Sequence, residues 1–294
     1  MIINQMGRFL VFCFTLMSAG MSVLGADETP QSVMRASYMY TAMDTKRTGE
    51  ETVVEDVFIL QIAPRESHYF SNKTYEYECL MATDEGKALR KALIKEATTR
   101  TADRIHVDLT KVADRMPKSG ERTRVYKYHD KGEMEVFNRL NGDDIVYTVP
   151  MEELEWELED SVKMVLGYEC QKAVADYHGR RWNAWFAKDI PVQEGPWQLC
   201  GLPGLIMEAV SEGGEFRFEI NGLEQQTEPM VVFHLDEDNL YRYKRKVYLR
   251  EVWKYKEDPG LLSRSMGGML RDKNGKPVGK IKLYHDLIET DYRE

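Results

Sequence analysis

Between Arg122 and Ile220 the chain repeats one pattern: a short run alternating apolar and polar residues, then a turn of residues that tolerate positive φ. His129-Asp130-Lys131-Gly132 separates Thr123–Tyr128 from Glu133–Leu140, and Asn141-Gly142 precedes Ile145–Val149. His178-Gly179 separates Tyr168–Tyr177 from Arg180–Ala187, and Ser211-Glu212-Gly213-Gly214 separates Leu205–Val210 from Glu215–Ile220. Period-two alternation predicts strands with one buried face, and pairs such as Asn-Gly close antiparallel hairpins because both residues can take positive φ. In Arg180–Ala187, Trp182, Ala184 and Phe186 fall on one face, with Arg181, Asn183 and Trp185 on the other. Glu153–Glu159, with Leu154, Trp156 and Leu158 between acids, reads as a half-buried strand with a solvated acidic face.

Two earlier segments, Val33–Asp44 and Glu51–Ile62, also read as strands. Asp84–Ala97 carries Leu89, Ala92, Leu93 and Ala97 at helical spacing, with lysines and an arginine between them, and predicts a helix. Ala102–Gly120 is polar and reads as a loop. Leu240–Lys256 carries both periods. Asp236-Glu237-Asp238 suits a helix start and Asp258-Pro259-Gly260 a stop, so a helix is expected over 239–257. The expected fold class is α+β: a curved, mostly antiparallel β-sheet with one or two covering helices, forming a single domain over residues 26–294.

Residues 1–25 have the layout of a secretory signal peptide. Arg8 is their only charge, an apolar run from Phe9 to Met17 follows, and Val23-Leu24-Gly25 offers small-residue cleavage before Ala26. Ser18, Gly20 and Ser22 break the run before it reaches the roughly 20 residues of a membrane span. Phe12 is too bulky to precede a lipidated Cys13. The expectation is export to the periplasm or cell surface, with no transmembrane segment after cleavage. Export would leave Cys79, Cys170 and Cys200 in an oxidising compartment. A Cys170–Cys200 disulfide, worth roughly 3–4 kcal/mol in the chain-entropy view, stands against three buried thiols acting as small apolar side chains.

Lys plus Arg number 40 against 49 Asp plus Glu, a formal charge of -9 over 294 residues. An acidic chain lacks the phosphate-neutralising surface on which nucleic-acid affinity rests, so no nucleic acid is expected as partner. The six histidines are scattered, and no G-x-S-x-G, H-E-x-x-H, paired C-x-x-C, P-loop or G-x-G-x-x-G occurs. No cofactor or metal is expected, although Cys, His and Met are numerous enough to keep a soft-metal site as an alternative.

Residues 195–206 read GPWQLCGLPGLI. Pro203 and Gly204 have the φ preferences for the centre of a type II turn, which Leu202, Leu205 and Ile206 would pin to a core. With Gly201, these residues complete a hexapeptide that resembles the hallmark of the GLPGLI family. Gly167-Tyr168, Cys170-Gln171-Lys172-Ala173, Gly179-Arg180, Ala184-Trp185, Ile190-Pro191 and Gly195-Pro196-Trp197 are similar to the family pattern in order. So are Ser67 with Tyr69-Phe70-Ser71, while Tyr284–Glu289 resembles the family ending without its Asn-Pro pair. The resemblance implies an exported protein of a Gram-negative envelope and supplies no catalytic residue. Arg180, Arg181, Trp182, Trp185 and Trp197 are the candidate ligand-binding residues, since aromatic rings beside guanidinium groups can grip a ligand. The expectation is a non-enzymatic accessory, binding or carrier protein meeting an envelope ligand or protein. A His-dependent envelope hydrolase is the alternative.

Overall fold

A computed structural model describes residues 29–100, 105–151, 154–233, 239–270 and 275–293. The putting-together starts with β1 (Gln31–Ser32) and β2 (Met34–Thr45), the latter paired along its length with β3 (Glu51–Ile62). β4 (Glu66–Ser71) returns along β3 and ends on Ser71, whose hydroxyl accepts from Thr74 N at 3.0 Å and starts α1 (Asn72–Ala82). Thr83 caps α2 (Asp84–Ala97) in the same way. The short β5 (Thr98–Arg100) and β6 (Ile105–Val107) pair with each other. The hairpin series follows: β7 (Arg124–Tyr128), β8 (Glu133–Leu140), β9 (Asp143–Pro150), β10 (Glu157–Val165), β11 (Tyr168–Tyr177), β12 (Arg180–Ala187), β13 (Leu205–Ser211) and β14 (Phe216–Glu224). β15 (Glu228–Pro229), β16 (Leu240–Arg242), α3 (Arg245–Glu257) and α4 (Leu261–Ser265) complete the chain's named elements.

Among the described residues twelve strands form one sheet, in the order β10-β11-β12-β13-β14-β2-β3-β4-β7-β8-β9-β16. β14 pairs with β2, which places the N-terminal hairpin at the centre. Every pairing in this sheet is antiparallel except β16 on β9. The fold is therefore α+β and dominated by an antiparallel sheet.

The main core lies on one sheet face and gathers Tyr38, Phe58, Tyr69, Val136, Tyr147, Trp182, Phe186 and Phe218. Rings stack through it: Phe58 on Tyr69 at 4.6 Å between centroids, and Tyr40 on Phe218 at 5.3 Å. The other face carries a smaller cluster of Ile59, Phe70, Tyr126, Phe137, Val146 and Phe233. Between β12 and β13 the chain crosses the main core without regular structure, yet residues 194–200 are all buried. Buried irregular backbone needs hydrogen-bond partners. Lys127 of β7, fully buried, provides them: its Nζ donates to Gly195 O at 2.8 Å, to Leu199 O at 3.0 Å and to Glu194 Oε2 at 3.0 Å. Burial would raise the Glu194 carboxyl, but the Lys127 ammonium and His129, 2.7 Å away, hold it below the usual range.

Several sequence expectations need correction. Gly204 does not take positive φ; Gly201 does, at 88°. Gly204 N instead donates to Leu202 O at 2.8 Å, closing a three-residue turn on Pro203 rather than a type II turn. Gly204 serves close approach, since a Cβ there would lie 2.2 Å from Ala187 O. Cys170 and Cys200 are free buried thiols, so of the two readings the disulfide is not formed, and Cys79 is free and exposed rather than buried. The Cys170 Sγ turns to Tyr168 O, Cys200 is held in the buried segment with Trp156 Nε1 on its carbonyl, and burial pushes both thiols up to about 11. The expected helix over 239–257 begins at Arg245, because Leu240–Arg242 pairs with the otherwise open edge of β9; Asp236–Asp238 lie outside the described residues. The strand expected over 153–159 starts at Glu157 and runs to Val165, where Leu166-Gly167, both at positive φ, turn it into β11. Leu154 and Trp156 pack on the core without strand geometry. The segment 1–25 also lies outside the described residues.

Removing one partner of a buried ion pair typically costs about 3–5 kcal/mol. Lys127→Met is expected to lose that much in urea unfolding. Adding Glu194→Gln should cost less than the sum of the two single changes. Because Glu194 is depressed in the folded state, its contribution is complete above the unfolded value of about 4.3. It is lost as pH falls through the lower folded value.

Candidate functional site

β2, the 121–123 segment, α3 and the C-terminal segment line a half-open cavity of about 150 Å³. Tyr40, Tyr147, Trp197 and Tyr248 supply aromatic wall, and Val252 and Lys256 of α3 lie along one side. A larger hollow of about 510 Å³ beside Pro30, Ala63 and Tyr128 is lined by Arg65 and Asp130, which pair with each other at the surface. The smaller cavity gathers more ionisable groups among aromatics, the usual mark of a binding site.

Three of its carboxylates are already matched by cations. Asp44 accepts from Lys256 Nζ at 2.6 Å. Asp286 faces Arg293 at 2.7 Å and Tyr292 OH at 2.9 Å. Glu289 is the most heavily bonded. Its Oε1 accepts from Tyr147 OH at 2.6 Å and Gln198 Nε2 at 3.1 Å, while Oε2 accepts from Arg245 at 2.7 Å. Arg245 also grips Asp291, tying the start of α3 to the chain's last described turn.

Glu121 differs. Its backbone is fixed at both ends: N donates to Asp56 Oδ2 at 2.7 Å and O accepts from Thr74 Oγ1 at 2.7 Å. Ser71 Oγ donates to the same Asp56 oxygen at 2.8 Å, so the cap of α1 and the anchor of Glu121 share one carboxylate. Gly120 permits this approach, for a Cβ would meet Asp56 Oδ2 at 2.1 Å. The Glu121 carboxyl itself has no hydrogen-bond partner among the described residues, and it lines the cavity. Burial raises it above the ordinary carboxylate range, Asp56 and Asp44 add to the shift, and Lys256 offsets part of it. Burial likewise raises Tyr40 and Tyr248, with Glu121 contributing to both.

The candidate residues read from sequence are dispersed. Trp182 is wholly inside the core, and Trp197 is buried with φ of 53° and reaches the cavity wall. Trp185 faces the opposite side of the sheet, under Lys163 at 4.6 Å. Arg180 donates to the carbonyls of Leu287 and Ile288 and pairs with Glu215. Arg181 lies at the surface with Asp176 and Glu157. Of the five, only Trp197 lines the cavity; Arg180 positions the segment that closes it. Leu202, Leu205 and Ile206 are buried, and Ile206 N donates to Glu194 O. Glu121 and Asp56 were not singled out from sequence; no local spacing marks them.

His68 bonds the Val231 carbonyl, His129 pairs with Glu194 and His285 with Glu51, and none of these contacts is to a Ser or Cys. His178 bonds Gln198 beside Glu289. No group of three or more His, Cys, Asp or Glu among the described residues is arranged to hold a metal ion. No described helix is long and apolar enough to cross a membrane.

A carboxyl raised in the folded state costs stability once pH exceeds its unfolded value of about 4.3. Glu121→Gln is therefore expected to stabilise the protein at pH 7. That gain should vanish near pH 4, where urea unfolding of the two proteins should coincide.

A family model described as "Protein of unknown function (Porph_ging)" matches residues 177–208, which include Gly201–Ile206 and are consistent with the GLPGLI-type resemblance. No curated protein matches the chain. Solved chains described as "Structure of PNGF-II in P21 space group" and "Structure of PNGF-II in C2 space group" are similar at 14% and 13% identity, with TM-scores of 0.45 and 0.44. They cover 78% and 76% of this chain, which in turn spans 34% of the length of each.

Proposed function

We propose that this chain is an exported binding protein of a bacterial envelope, acting without catalysis, which holds a small ligand in the cavity beneath α3. The observation that carries the reading is Glu121, whose backbone is fixed by Asp56 and Thr74 and whose carboxyl has no hydrogen-bond partner among the described residues in a cavity lined by Tyr40, Tyr147 and Tyr248. Binding sites commonly keep polar groups unsatisfied until a ligand arrives, at a cost in stability. A volume of about 150 Å³ suits a compact molecule or one side chain of a larger partner, since an engineered cavity of about that size admits benzene. Export rests on the Arg8–Gly25 segment as read from sequence, and periplasm or cell surface is the proposed location.

The same reading takes the sheet as curved. Tyr147 of β9 and Trp182 of β12 lie far apart in strand order, yet both belong to the cluster that includes Trp197 and Leu199 of the buried segment. A sheet bent around that segment accounts for their common neighbours.

The test is purification from the native envelope, followed by denaturation and mass spectrometry of what is released. One small molecule, or one partner protein, per chain is expected from the natural protein. Val252→Trp, which fills the cavity from a half-buried position on α3, should release none while keeping its circular dichroism. Absence of both a stoichiometric small molecule and a stoichiometric partner protein, or equal release from both proteins, would overturn the proposal.

A further inference from the structure

Resting on that reading, we infer that the cavity takes the protonated amine of its ligand, with the ammonium against Glu121 and its alkyl stem along the aromatic wall. The balance of charge around the cavity carries this. Asp44, Asp286 and Glu289 each have a cation of their own in Lys256, Arg293 and Arg245. Asp56 and Glu121 form no ion pair among the described residues, and Lys256, which offsets part of the burial of Glu121, is paired with Asp44. Among the described residues Asp56 accepts only from neutral donors: Ser71 Oγ, Glu121 N and Val57 N. Two adjacent carboxyls thus lack a counter-charge, and one of them opens onto the cavity.

The walls favour the same chemistry. Tyr40, Trp197 and Tyr248 line the same cavity as Glu121, and aromatic faces attract a cation as they do not attract an anion. An anionic ligand would meet Glu121, and the three paired carboxylates leave no free guanidinium or ammonium to receive it. A neutral ligand could fill the space but would leave Glu121 and Asp56 uncompensated. A bound ammonium would make a charge-assisted hydrogen bond to Glu121 and lower the cost of ionising it.

The amine could be a free small molecule or the side chain of a lysine in a partner protein. Two pairs of probes separate these sources: n-butylammonium chloride with n-butanol, and Nα-acetyl-lysine amide with its Nε-acetylated form. Each would be titrated into the full-length exported protein at pH 7, with binding followed by ligand-observed NMR. Each charged probe is expected to bind about tenfold more tightly than its neutral partner, a difference set by one desolvated cation contact. Glu121→Gln should abolish most of that preference without weakening n-butanol. Binding of the lysine amide alone would support the inference and assign the source to a protein partner. Neutral probes binding as well as charged ones would overturn the amine assignment while leaving the binding reading in place. Failure of all four probes would overturn both. The comparison within the natural protein needs no variant, so a folding defect in Glu121→Gln cannot blunt it.

Discussion

A single buried ammonium makes this architecture tenable. The segment between β12 and β13 runs through the core as irregular backbone, where every carbonyl stripped of water must find a donor. Lys127 brings three N–H groups to one point and uses them on Gly195 O, Leu199 O and the Glu194 carboxylate. Glu194 in turn cancels the charge that Lys127 carries into the interior. Neither residue is tolerable there alone, which is why they lie on strands and loops far apart in sequence but converge in space.

Fixing that segment has consequences at the site. Trp197 sits at a φ that a tryptophan rarely adopts, held by neighbours on both sides, and so presents its ring to the cavity. The next residue, Gln198, accepts from Tyr177 OH and donates to Glu289. Through Glu289 the segment is tied to Tyr147 of β9 and Arg245 of α3. Arg180 completes the enclosure by holding the carbonyls of Leu287 and Ile288, and Thr290 N donates to His178 O in the β11–β12 turn. The cavity is therefore walled by elements from the whole chain, and its shape is a by-product of how the irregular segment is satisfied.

The sheet was legible in the sequence because its signals are local. Asn141-Gly142 and His178-Gly179 all take positive φ, and the strands on either side alternate as the residues require. The helix over Asp84–Ala97 has the bounds its spacing predicts. By contrast, α1 buries only Thr74 and has no apolar stripe, so periodicity could not reveal it; its one local signal is Ser71, a cap whose hydroxyl also serves Asp56. The Pro203-Gly204 turn was misread because Gly204 answers to the backbone of Ala187, a non-local neighbour, rather than to its own φ. The Arg and Trp cluster was adjacent in sequence but divided by the pleat, which sends Trp182 inward and Trp185 outward. Glu121 could not be found at all from spacing. Its role depends on Asp56, Ser71 and Thr74 arriving from β3, β4 and α1, and only the folded chain brings them together.

That convergence explains why negative charge collects where it does. Asp56 is spent on geometry: it caps no cation but orders the start of α1 and the backbone of Glu121 in one stroke. A neutral amide's one oxygen could accept the Ser71 and Glu121 bonds but would set its own N–H groups against Val57 N, whereas a carboxylate accepts all three. The charge is the cost of using one residue to position two segments, and it falls beside Glu121, whose own carboxyl it makes harder to ionise. Lys256 cannot discharge it, being committed to Asp44. The anchoring of the fold and the electrostatic demand of the cavity are thus the same physical fact, seen from the two sides of the Glu121 peptide.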